Sequence, residues 1–250
     1  MWQLIRYGHV RIAVFGPGGV GKTTLGHIVA GEQAEAVEGT NYQESLVTEK
    51  YRLQGDLHCT LFVPPGQGPR REESWPALRR QLINGRIAGV VNVVAAGYHA
   101  VGEIGLSGSY QTHRAYQKGM TIEEFLPAYL QVQRSEELKV LDEIRPHLCD
   151  ADLRKLWMIT LVTKQDLWWK EREDVGRHYL EGDYDRVIQQ IAAARGARHF
   201  VHRYLPVSLI SSNLRAGGTL LAEVASGYED ILRISRLRHF MDAIISLSKD

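Results

Sequence analysis

Gly16-Pro17-Gly18-Gly19-Val20-Gly21-Lys22-Thr23 is the stretch that decides how this chain reads. It meets the phosphate-loop pattern G-x-x-x-x-G-K-[ST] at every fixed position. Before it, Val10-Arg11-Ile12-Ala13-Val14-Phe15 is apolar and β-branched and predicts a strand. After it, Thr24 to Ala30 carries Leu25, Ile28 and Val29 at helical spacing. Strand, glycine-rich loop and helix form the context in which the loop's backbone N–H groups turn inward around phosphate oxygens, at the positive end of a helix. Gly16, Gly18, Gly19, Val20, Gly21 and Thr24 are therefore expected to line the phosphates. Lys22 is expected to reach the β- and γ-phosphates, and the Thr23 hydroxyl to sit on Mg²⁺.

Outward from the loop, strand-like and helix-like segments alternate, which predicts an α/β fold with a mostly parallel sheet between helical layers. Strands are expected at 46–53, 57–63, 89–96, 156–162 and 200–207, with one of the first two antiparallel at the sheet edge. Helices are expected at 74–84, from Thr121 to about Leu148, at about 175–195, and over 219–248 as a closing helix or helix pair. Thr121-Ile122-Glu123-Glu124 has the form of a capping box. Residues 97–120 are rich in glycine, serine and tyrosine and show no period.

At 250 residues the chain suits one domain. A formal net charge of +1 gives no reason to expect a nucleic-acid partner. Cys59 and Cys149 lie far apart without metal-ligand spacing, and the ten histidines include no H-E-x-x-H pair. No apolar run is long enough for a leader or a membrane span, and the terminal Ser246-Leu247-Ser248-Lys249-Asp250 holds no cysteine for lipidation. A cytoplasmic protein without a membrane anchor is the expectation.

The apolar segment ending at Val162 is followed by Thr163-Lys164-Gln165-Asp166-Leu167. A carboxylate at the end of a parallel strand can accept from both the ring N–H and the exocyclic amine of guanine. Adenine offers no such pair and leaves groups unpaired. Lys164 can lay its stem over the base, and Thr163 can tie this loop back to the phosphate loop. Trp168 and Trp169, next in the chain, either shield the base edge or pack elsewhere.

With these two motifs the chain resembles a Ras-like small GTPase domain, of the translation-factor-related class of P-loop proteins. The resemblance implies a P-loop three-layer sandwich binding GTP or GDP with Mg²⁺, and hydrolysis of GTP as a switch. It implies a base contact after the last strand at Ser208 and Leu209, with Ser211-Ser212-Asn213 as an alternative. Lys22 and Gly66 are 44 residues apart, about the family's spacing between its lysine and its γ-phosphate-sensing glycine. Gln67 then stands at the place of the water-positioning glutamine. Thr40 stands at that of the threonine covering Mg²⁺, with Ser45 as the alternative. The longer stretch between Gly66 and Lys164 implies a helical insertion at about 97–150. A protein effector or regulator is expected at the loops near 40 and 66 or at 97–120.

The pattern breaks at Val63-Pro64-Pro65-Gly66-Gln67, where the family carries D-x-x-G. That aspartate holds Mg²⁺ in P-loop enzymes, and Val63 removes it. Asp56 lies at the far end of the preceding strand, too distant to replace it. The alternative is thus a nucleotide-loaded binding module with little turnover. Arg70 and Arg71 read as a solvated face or a partner contact. The loop also resembles that of ParA- and MinD-type ATPases, but Pro17 stands in place of their signature lysine.

Overall fold

The computed structural model describes residues 9–32, 46–53, 58–100, 109–153, 155–196, 198–216 and 218–249. Thr40, Ser45 and Asp56 lie outside the described residues. A six-stranded sheet in the order β2-β3-β1-β4-β5-β6 forms the central layer. Its strands are β1 (Val10–Phe15), β2 (Glu49–Arg52), β3 (Cys59–Val63), β4 (Gly89–Val94), β5 (Leu156–Val162) and β6 (Phe200–Pro206). All neighbours run parallel except β2, which pairs antiparallel with β3 at the edge.

Alternation along the strands builds two apolar layers. Val10, Ile12 and Val14 of β1 join Val91, Val93, Ile159 and Leu161 on one face, against α1 (Lys22–Ala30) and the closing helix α7 (Asp230–Lys249). Ala13, Phe15, Val90, Val94, Met158 and Val162 face the other way. There they meet α2 (Gly68–Ile83), α3 (Ile122–Cys149), α5 (Arg172–Leu180) and α6 (Asp183–Arg195). β4 and β5 are buried on both faces, as expected of central parallel strands with continuous apolar sequences. The result is the expected three-layer α/β sandwich around a phosphate loop. No helix among the described residues is long and apolar enough to cross a membrane.

The 28-residue α3 opens with the predicted capping box: the Thr121 side chain accepts from Glu124 N–H, and the Glu124 carboxylate accepts from Thr121 N–H. Spanning β4 to β5, it packs on α2 and α6, so the helical part of the 97–150 stretch lies within the core.

Strands β2, β3 and β4 are shorter than expected, and the helices depart from expectation in three places. α2 begins at Gly68, six residues before the predicted start, because a Gly-Pro pair that reads as punctuation also suits a first helical turn. The expected 175–195 helix divides into α5 and α6, and the turn α4 (Gln165–Trp168) precedes them. The expected closing helix starts only at Asp230. Leu214–Ala216 (β7) and Thr219–Ala222 (β8) form a separate antiparallel hairpin instead.

Candidate functional site

The phosphate loop leaves the C-terminal end of β1, at the centre of the sheet. Gly16 (φ 140°), Gly19 (φ 75°) and Gly21 (φ 94°) hold conformations that L side chains rarely adopt. Space forbids side chains as well: a Cβ at Gly16 would lie 2.2 Å from the Val93 carbonyl oxygen, and one at Gly19 2.7 Å from that of Ala100. Ala100 N–H donates to the Gly19 carbonyl (2.8 Å), so the segment after β4 braces the loop from outside.

Lys22 is buried, and its Nζ donates to the Pro17 carbonyl at 2.7 Å. Burial, with the neighbouring Arg71 adding to it, pushes its pKa down to about 7. The cation is therefore poorly solvated and ready to gain from an anionic ligand. Gly66 packs directly on this pair. A Cβ there would stand 2.1 Å from Lys22 Nζ and 2.6 Å from the Pro17 backbone, so only glycine lets residues 63–67 approach the loop. Pro64, Pro65 and Gly66 are all buried, Trp75 Nε1 donates to the Pro65 carbonyl (2.9 Å), and Gln67 stands at the N-cap position of α2 without a side-chain capping bond.

Arg71 does not form the solvated face that its position beside Arg70 suggests. It is 5% exposed, donates from Nε to the Gly66 carbonyl (2.8 Å), and forms ion pairs with Glu136 and Glu143 of α3. Its guanidinium also lies over the Trp75 ring. The pairing is invisible in sequence because 65 and 72 residues separate the partners.

The second motif is tied to the first as expected. Thr163 Oγ1 donates to the Val20 carbonyl (2.8 Å) and shares its proton with that of Val94 (3.0 Å). Lys164 sits in a left-handed conformation (φ 56°) that turns the chain into α4, and burial pushes its pKa down to about 8. Asp166 is 1% exposed. Its Oδ1 accepts from Ser208 Oγ and its Oδ2 from Ser212 N–H (3.1 Å), while Asp166 N–H donates to Ser208 Oγ (2.8 Å). Burial raises its carboxyl above the usual carboxylate range, against the pull of Ser208, Ser212 and Lys164. The two serine positions proposed as alternatives thus converge on one carboxylate. Leu209 reaches the loop too, since a Cβ on Gly21 would lie 3.1 Å from its Cδ1.

Leu167 and Trp168 turn inward, both in the apolar core. Trp168 Nε1 donates to the Thr163 carbonyl (2.8 Å), so this ring supports the motif from behind. Trp169 packs edge-on against Tyr228 (5.7 Å between centroids) and under Arg172.

On the side expected to take Mg²⁺, Thr23 Oγ1 donates to Glu49 Oε2 of β2 (3.2 Å), which also accepts from Tyr51 OH (2.9 Å). Hydroxyl and carboxylate oxygens are the donors Mg²⁺ prefers, and it takes few protein ligands because phosphates and water fill the rest. No group of three or more His, Cys, Asp and Glu that could hold a metal occurs among the described residues.

A further constellation has no counterpart in the sequence reading. Glu137 of α3 is fully buried; its Oε1 accepts from Ala95 N–H (2.8 Å), Gly97 N–H (3.1 Å) and His99 Nε2 (2.8 Å), and its Oε2 from Tyr179 OH. Burial alone would raise its carboxyl, but these donors outweigh it and hold it below the ordinary value. Glu137 thereby fixes the turn after β4, in which Ala96 takes a left-handed conformation (φ 52°) and Ala100 meets Gly19. The available signal was a lone carboxylate on the apolar stripe of Phe125, Tyr129, Leu141, Ile144 and Leu148.

No protein-family model and no curated protein matches this chain. Among solved structures it is similar to the chloroplast translocon components atToc33 and psToc159, studied for dimerization and GTPase activity. The identity is 13%, with 99% of this chain and 89% of that chain covered and a TM-score of 0.49. It is similar to the signal recognition particle receptor SRb-GTP/SRX complex from Chaetomium thermophilum at 13% identity, covering 92% and 98% of the two chains with a TM-score of 0.45. The mammalian SRP receptor gives 14% identity over 80% of this chain and 91% of that one, with a TM-score of 0.42. At such identities and scores the likeness identifies neither family nor activity.

Proposed function

We propose that this chain is a guanine-nucleotide-binding protein of small-GTPase type, taking GTP or GDP with Mg²⁺ and hydrolysing GTP slowly as a switch. The observation that supports it most is the anchored carboxylate of Asp166, joined through the Thr163–Val20 bond to the phosphate loop. Each Asp166 oxygen takes one bond from Ser208 or Ser212, and a carboxylate oxygen has room for two. Capacity remains for the two donors of guanine.

In this reading the amides of Gly16 to Thr24 surround the phosphates and Lys22 turns from Pro17 to phosphate oxygen. Thr23 and Thr40 take the Mg²⁺ side, Gly66 follows the γ-phosphate, and Gln67 orients water. Protein partners meet the loops near 40 and 66 or the 97–120 segment, the non-helical part of the proposed insertion. A cytoplasmic location without nucleic-acid contact suits the balanced charge.

Titration with GTP, ATP and xanthosine triphosphate tests the base assignment. Wild type is expected to prefer GTP. Asp166→Asn is expected to lose about 10³-fold or more in GTP affinity and to gain xanthosine triphosphate, whose carbonyl accepts from the amide where guanine's amine donated. A wild-type preference for ATP overturns the guanine reading.

The nucleotide-loaded module with little turnover is favoured by one feature, Val63 with the buried Pro64-Pro65 loop behind it. Single-turnover hydrolysis by wild type and Val63→Asp separates the two. A faster variant supports the module; equal rates discard the idea that residue 63 limits turnover.

A further inference from the structure

Val63 leaves the end of β3 without a carboxylate, yet β2 brings one to the same place. Glu49 and Val63 are partners in the antiparallel register. Directly opposed residues point to the same face, their Cβ atoms about 5 Å apart. That face is the α1 side of the sheet, where Val63 packs in one apolar cluster with Leu25 and Tyr51. Glu49 Oε2 there accepts the Thr23 hydroxyl.

The approach is built rather than incidental. Tyr51, two residues on, donates to the same Oε2 and stacks edge-on against His27 at 5.0 Å between centroids. Its ring lies so close to α1 that a Cβ on Gly26 would come within 2.2 Å. A glycine in the middle of a helix costs about 1 kcal/mol relative to alanine, and here it admits the ring that fixes the edge strand against Thr23.

We propose that Glu49 supplies, from the neighbouring strand, the acidic partner for nucleotide-bound Mg²⁺ that residue 63 lacks, positioning the Thr23 hydroxyl as a metal ligand. The inference rests on the nucleotide reading of the phosphate loop and is indifferent to the base. Outer partners of this kind are worth about 10–100-fold in metal affinity.

The test follows release of a fluorescent GDP from the full chain, in EDTA and in excess Mg²⁺. Mg²⁺ slows release from wild type. Glu49→Gln, which keeps an acceptor for Thr23 and Tyr51, reduces that slowing about tenfold or more and leaves the rate in EDTA unchanged. Adding Val63→Asp to Glu49→Gln restores it. A merely structural role would shift the rate in EDTA and ignore the metal.

Undiminished slowing in Glu49→Gln overturns the proposal. If Glu49→Gln does not fold, Tyr51→Phe takes its place: loss of one bond to the carboxylate weakens the Mg²⁺ effect about fivefold, and an unaltered effect overturns the proposal. Should the chain prefer ATP, the guanine reading fails and the same measurement with a fluorescent ADP decides Glu49. Binding of neither nucleotide overturns both.

Discussion

The proposed base end of the site and its proposed metal end are built differently. At the base end, Asp166, Ser208 and Ser212 come from the loops after β5 and β6 and bond directly through Asp166, while Thr163 ties the same loop to Val20. At the metal end, residues 63–67 contribute backbone, a close-packed glycine and prolines, and the charged groups come from elsewhere: Arg71 from α2, Glu49 from the edge strand. In the proposed reading, base recognition rests on two loops that bond each other after β5 and β6, whereas the surroundings of the γ-phosphate and metal draw their carboxylate from the edge strand. Altering the second should leave base preference intact.

The largest way to break that contrast is Arg71→Met, which strands the Gly66 carbonyl and takes the buried guanidinium from Glu136 and Glu143, the latter keeping Arg79. Breaking a buried ion pair costs about 3 kcal/mol or more, and about 3 kcal/mol in a chain of this size lowers Tm by roughly 6–12 °C. Thermal unfolding followed by circular dichroism checks the loss. The ratio of GTP to ATP affinity in the surviving folded protein should stay at the wild-type value, and a lost preference would show that the two ends are not separable.

Thr163→Val tests the joint between the ends. A hydroxyl carries one proton, so the bonds to Val20 and Val94 count about as one, worth about 1 kcal/mol. Nucleotide affinity should fall about fivefold, measured by calorimetry, with Tm lower by about 2–4 °C. Unchanged affinity would mean that the loop holds its shape without the base end.

The smallest effect is a pH dependence. Lys22, lowered to about 7 in the folded chain, stays protonated up to its usual value of 10.5 when unfolded. Between those values the unfolded state binds more protons, so stability of the nucleotide-free chain rises with pH across that window. The penalty of burying the charge is fully present below about 7 and gone above 10.5. A triphosphate restores the charge, so binding at pH 8 should take up a fraction of a proton. Calorimetry in buffers of different ionisation heat measures it, and Lys22→Met should remove it. Uptake that survives this change would place the titrating group at the base end, on Lys164, which burial also lowers.

Much of the fold could be read in advance where one local signal dominated. β1 and β5 were expected at their observed bounds, and the capping box at Thr121 placed α3 within a residue. Reading failed where a short apolar run fits two structures: Thr219-Leu220-Leu221-Ala222 suits a helix start or a strand, and the hairpin was decided by pairing with Leu214–Ala216. In the site, Thr163 took its expected tie to the phosphate loop, whereas Ser208, expected at the base, bonds Asp166. Arg71 and Glu137 were misjudged or missed, because burial belongs to the packed molecule and not to a residue type.

By itself the sequence determined the phosphate loop, the carboxylate that follows β5 and the absence of an aspartate at 63. Each is a matter of residue type at fixed backbone spacing, and backbone chemistry over a few residues is local. The tertiary structure alone decided that Arg71 faces inward, that Glu137 shapes the turn bracing Gly19, and that Glu49 stands beside Thr23. Those depend on strand register and on helices packed across the sheet, where one residue of slip would turn every side chain to the opposite face.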